Sequence, residues 1–161
     1  MSAEKQLFDC LGKILKLQKS LFQIAKKKTD IIKADDIDAL GQLLKDELKH
    51  VKAIEMLDKE RENVQLQLGS HSSVHITISD LLQSSSLNDK EGLKVLQHQL
   101  VEQTQKLKEV NELNQQLLQQ SLNYINLNLD LLLGQQESSN YTENNSNKEE
   151  GTSRSLFDSR A

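Results

Sequence analysis

No proline occurs anywhere in this chain, and only six of its 161 residues are glycine. Sharp turns are therefore scarce, and the dense turn chemistry of an all-β or α/β fold is missing. The chain must be built from a few long elements. Hydrophobic residues make up 36% and aromatics 3%, with no Trp. The apolar supply is thus Leu, Ile and Val spread over a charged, Gln-rich chain, which suits long helices with narrow apolar stripes. At this length the expectation is one domain plus a tail.

Leu7, Leu11, Ile14, Leu21, Ala25 and Ile32 recur at three- and four-residue steps, with Gln18 and Lys28 filling the gaps. This predicts an amphipathic helix of about 30 residues, roughly 45 Å long. It should end at Ala34, where Asp35 and Asp36 offer a turn and an N-cap. Ile37, Leu40, Leu44, Leu48, Val51, Ile54, Leu57, Val64 and Leu68 form the stripe of a second helix, closed by Gly69 in a left-handed cap. Matched lengths imply an antiparallel hairpin. The Ser-rich residues 70–86 read as a loop with one short helix near Ser79 to Gln83. Ser86 and Asp89 mark the start of a third helix of about 45 residues, roughly 70 Å, running to Leu133 and stopped by Gly134.

The expected fold class is all-α, an antiparallel helical hairpin plus a long third helix in a three-helix, coiled-coil-like bundle. Residues 1–134 form the helical domain. Residues 135–161 are polar and aperiodic, so they read as a disordered tail with a short linear motif at Leu156 and Phe157.

On the third helix, Leu93, Leu96, Leu100, Leu107, Val110, Leu118, Leu122, Ile125, Leu129 and Leu132 share one face, expected to pack on the hairpin. A second series, Leu113, Leu117, Tyr124, Leu127 and Leu131, falls about a third of a turn away, with only Val95 matching it in the first half. The C-terminal half therefore has more apolar circumference than one hairpin covers, and each Leu left in water forgoes about 1.5–3 kcal/mol. Such a surplus marks a partner site for an amphipathic helix. The bland alternative is burial by a larger bundle or a homodimer, as in a structural coiled-coil or adaptor subunit that self-associates through this helix. Asn111 and Asn114 sit on the core face and read as satisfied side chains bonding neighbouring helices.

Charge and chemistry exclude several classes. Residues 1–34 carry 8 Lys against 3 acids, the remainder 12 bases against 21 acids. That distribution argues against nucleic-acid binding, which needs a sustained basic surface. Lys26, Lys27 and Lys28 read as a solvated run near a helix end; the other reading is contact with an acidic partner or anionic lipid headgroups. The single cysteine, Cys10, excludes an internal disulfide, and a reducing cytoplasm is the expected setting. The N-terminus is broken by charges every few residues, which argues against a signal peptide and against membrane insertion. His71 and His75 are four apart but lack an acidic or Cys companion at ligand spacing, and His50 and His98 stand alone. Cys10 has no His or Asn at a catalytic spacing and reads as a small core residue. No enzyme activity, cofactor or metal is expected.

The second-helix stretch ADDIDALGQLLKDELKHVKAIEMLDKERENV and the third-helix stretch VNELNQQLLQQSLNYINLNLDLLL resemble the FlgN family of flagellar export chaperones over residues 5 to 133. The acidic turn leading to Glu60 and Arg61, and the Asn111–Asn114 pair followed by Leu117, Ser121 and Leu122, carry the likeness. The ending SLFDSRA is similar to that of some Gram-positive members. The resemblance implies a cytoplasmic chaperone of the flagellar type III export system whose clients are the hook–filament junction proteins FlgK and FlgL. It also admits contacts with export gate or export ATPase components. Client binding is implied for Leu107 to Leu132, so the candidate partner-binding residues are Val110, Leu113, Leu117, Ser121, Tyr124, Leu127 and Leu131.

Overall fold

The computed structural model describes residues 2–69, 76–84 and 87–143, with side chains to residue 134. Every described element is an α-helix: α1, Ala3–Lys33; α2, Ile37–Leu68; α3, Ile78–Gln83; and α4, Lys90–Glu143. The chain forms two compact units, residues 1–120 and residues 121–161.

In the first unit, α1 is the helix around which the others are arranged. Leu7, Cys10, Leu11, Ile14, Leu15, Leu21, Ala25 and Ile32 are all buried, so its whole expected stripe lies in the core. At about 1.5–3 kcal/mol for each large side chain, that stripe is the main source of the unit's stability. Ser2 opens α1 by accepting the Lys5 amide. The turn after Ala34 puts Asp35 in the left-handed region at φ 53°, and Asp36 then caps α2 by accepting the Ala39 amide at 3.0 Å. Aspartate tolerates both jobs because its short side chain bonds locally.

Contacts across the turn make the hairpin antiparallel. Lys28 Nζ meets Glu47 at 2.6 Å, the Ser20 hydroxyl meets His50 Nε2 at 2.8 Å, and the Cys10 thiol donates to the Leu57 carbonyl at 2.9 Å. Burial raises the Cys10 thiol pKa, and the nearby Glu60 charge adds to it. Residues α1 and α4 share then run parallel: Glu4 binds Asn88 and Asp89, Gln18 Nε2 donates to Thr104 Oγ1 at 3.3 Å, and Asn114 reaches Ala25.

Leu7, Leu11, Val64, Leu81, Leu87 and Leu93 form the core at the end of the unit where α3 sits. A capping box between Thr77 and Asp80 starts α3, and the Thr77 donors hold the Asp80 carboxyl below its usual pKa. This short helix was expected within one residue of its position. Gly69, however, is extended at φ −87°, not left-handed. Its lack of a Cβ serves packing, because the Ile76 side chain occupies the space a Cβ would take. The apolar stripe expected on α2 is also not the buried face. Ile37, Leu44, Leu48 and Val51 are exposed, whereas Glu47 and His50 are half-buried. The reason is polar: Lys28 pairs with Glu47, and His50 donates Nδ1–H to the Asp46 carbonyl, leaving Nε2 to accept from Ser20.

Gly134 does not stop α4, which continues to Glu143. One interior glycine costs a helix only about 1 kcal/mol, and a Cβ there would meet nothing. The linear motif expected at Leu156 and Phe157 and the rest of 144–161, together with Ser86, His71 and His75, lie outside the described residues.

Candidate functional site

The site expected on α4 begins with how that helix is anchored. The Glu4 carboxylate accepts the backbone amides of Asn88 and Asp89 at 3.0 and 2.9 Å and the Asn88 side chain at 2.8 Å. Those donors depress the Glu4 pKa, the Asp89 amide contributing most. Asp89 in turn accepts the Gly92 amide at 2.8 Å, which caps the first turn. Leu93 is fully buried, and Leu96, Leu100, Leu107 and Val110 are half-buried against the hairpin.

The last tight contact in this series is Asn114, 3% exposed. Its amide donates to the Ala25 carbonyl at 2.9 Å, and its oxygen accepts the Thr29 hydroxyl at 2.6 Å. Asn114 is therefore a satisfied inter-helix bond, as its position on the core face suggested. Asn111 is not; it is exposed. About three turns earlier on α4 the fit is looser: Gln18 Oε1 and Gln103 Nε2 are buried with no partner.

Beyond Asn114 the face expected to pack on the hairpin does not do so. Leu118, Leu122, Ile125, Leu129 and Leu132 are all exposed.

Of the expected partner-binding residues in the first unit, Leu113 is exposed, and Val110 and Leu117 are half-buried. In the second unit Tyr124, Leu127 and Leu131 are exposed, Tyr124 at 67%, and Ser121 is half-buried. The helical steps of four from Leu113 to Leu117, and of three and four from Tyr124 to Leu127 to Leu131, keep each group on one side of the helix. Sequence reasoning missed that Leu118, Leu122, Ile125, Leu129 and Leu132 are exposed too. The available signal was charge: residues 113–129 carry none, between Glu112 and Asp130.

Such a surface can take up an apolar helix without stripping water from an ion, and its Asn and Gln amides can bond polar groups at the margin. Among the described residues no group of His, Cys, Asp or Glu could hold a metal ion. No helix among them is long and apolar enough to cross a membrane.

An uncharacterized protein of Bacillus subtilis (strain 168), YvyG, is 29% identical over 162 residues, covering all of both chains. No solved structure matches. The model of the family described as FlgN protein matches residues 1–149, nearly the whole sequence. The chain belongs to the FlgN family of flagellar export chaperones.

Proposed function

We propose that this protein binds the C-terminal helical parts of the hook–filament junction proteins FlgK and FlgL in the cytoplasm. The contact face is Leu113, Leu117, Tyr124, Leu127 and Leu131, with Val110 and Ser121 at its edge. Covering the client's amphipathic helices prevents their premature self-association and keeps them competent for export; no bond is made or broken. The client is then handed to export gate or export ATPase components. Release requires moderate affinity, so a few anchors such as Tyr124 and Leu117 carry the binding energy.

The observation that supports this reading is the exposure of these large apolar side chains on an uncharged stretch of α4. A large exposed apolar patch on a protein of this size marks an interaction site. Titrating the purified chain with FlgK and with FlgL in a calorimeter tests it. Saturable binding at a 1:1 molar ratio is expected, with the negative heat-capacity change of apolar burial. No heat with either client contradicts the proposal.

A further inference from the structure

In the second unit, which begins at Ser121, the proposed client face takes up only one side of α4. Leu122, Ile125, Leu129 and Leu132 advance along the same helix by steps of three, four and three. Such steps hold four side chains in one stripe and are the a/d repeat of a coiled-coil seam. All four are at least half exposed, as is Leu133 at the rim of the stripe. At about 100° per residue the stripe is centred more than a third of a turn from Tyr124, Leu127 and Leu131. A helix segment apolar on both sides needs cover on both, so the client face accounts for only half of this surface.

Charge and spacing point to what covers the seam. The residues that flank it, Ser121, Asn126 and Asn128, are uncharged. Asp130, the one charge between Glu112 and Glu137, falls about a third of a turn away from it. Two copies can therefore meet along the stripe without opposing like charges, although each chain carries a net charge of −4. The spacing also reads the same from either end. In an antiparallel pair centred on the stripe, Leu122 lies opposite Leu132 and Ile125 opposite Leu129, so every layer joins two large apolar side chains. A parallel pair would instead set Ile125 against its own copy at a d position, with Leu at a, an arrangement that disfavours two strands.

We infer that segment 122–133 of α4 pairs in antiparallel fashion with the same segment of a second copy of this chain. The area fits a reversible dimer. Leu122, Ile125, Leu129, Leu132 and Leu133 of each copy, at roughly 100 Å² apiece, bury about 1,000 Å² over both copies, which is the lower end for a specific interface. An interface of that size corresponds to a dissociation constant on the order of micromolar. The contact uses the same patch on both copies about a two-fold axis, so association closes at two. Tyr124, Leu127 and Leu131 stay open on each copy, and a client complex formed on the dimer is 2:2, still equimolar.

The test uses the full chain without any client. Sedimentation should show the 18.3 kDa chain giving way to twice that mass as concentration rises through the micromolar range. Ile125→Asp with Leu129→Asp should weaken association at least about 100-fold, whereas Leu127→Asp with Leu131→Asp, on the client face, should leave it unchanged. Cysteine copies then report the pairing independently of those charges, because the native Cys10 is buried. Leu122→Cys and Leu132→Cys should be joined by a short bis-maleimide when mixed, while Leu122→Cys alone is not joined, its two copies lying roughly 15 Å apart along the pair. A chain that stays monomeric up to about 100 μM, equal loss of association in both Asp pairs, Leu122→Cys joined to itself, or no cross-link in the mixture would each overturn the pairing. None of these results depends on client binding, so the proposed function stands or falls separately in the calorimetric titration.

Discussion

The Asn114 side-chain amide donates to the Ala25 backbone carbonyl at 2.9 Å, across 89 positions of sequence, and so fixes the register of α4 on α1. The same Asn oxygen accepts the Thr29 hydroxyl. Asn114→Ala removes both bonds, while the Thr29 hydroxyl keeps its bond to the Ala25 carbonyl at 3.2 Å, so stability should fall by about 1–2 kcal/mol. Urea unfolding of the two proteins measures it, and an unchanged midpoint would mean that the register is fixed elsewhere.

Lys28 and Glu47 form an ion pair whose side chains are 12% and 20% exposed. It lies between the surface limit, where a pair contributes almost nothing, and the buried limit, where removing one partner costs several kcal/mol. Glu47→Ala should therefore destabilise by about 2 kcal/mol, and Lys28→Met together with Glu47→Leu should recover most of the loss. A double-mutant cycle gives the coupling directly. Coupling near zero would show that the pair is as weak as one in open solvent.

Acid should loosen the attachment of the start of α4. The Glu4 pKa is lowered by its donors, so its contribution is complete above the unfolded-state carboxylate pKa and is lost as pH falls through the lower folded-state value. Glu4→Gln should be less stable than the parent at neutral pH, and the gap in thermal midpoint should shrink as pH drops from 6 towards 3, on the usual carboxylate scale of about 4. A gap independent of pH would show that the charge of Glu4 does not matter. Asp80 and Glu102 are shifted in the same direction, by Thr77 and Lys106 respectively. They add to the acid sensitivity of the whole protein, which is why the comparison is made between variant and parent.

Asp35 holds φ at 53° in the turn between α1 and α2. Asp35→Asn should leave stability nearly unchanged, while Asp35→Val should cost about 1–2 kcal/mol, because a β-branched side chain is crowded in the left-handed region. Thermal melts distinguish the two, and equal melting points would contradict the strained turn.

Much of this fold can be read from spacing. The α1 stripe from Leu7 to Ile32 was legible because that helix is covered from several sides, so any apolar residue on its inner half is buried. The α1–α2 turn was legible because Asp35 and Asp36 are suited to it. The face of α2 was not, since its periodicity also fits Ile37, Leu44, Leu48 and Val51. What turns Glu47 and His50 inward are partners on α1, 19 and 30 positions away, and spacing along one helix says nothing of them. On α4 the exposure of Leu118, Leu122, Ile125, Leu129 and Leu132 was not legible, because periodicity marks an apolar face without saying whether another element covers it. Glycine also misled at Gly69 and Gly134, where packing space and the small cost of one interior glycine counted for more than turn chemistry.

The account depends most on the client engaging one side of α4. The direct measurement is the affinity of FlgK for the parent protein and for Leu117→Asp with Tyr124→Asp, with circular dichroism of both. The account predicts that helical content is unchanged and that binding falls at least about 100-fold, two apolar anchors having been replaced by charges. Retained affinity in a fully helical double variant would contradict it.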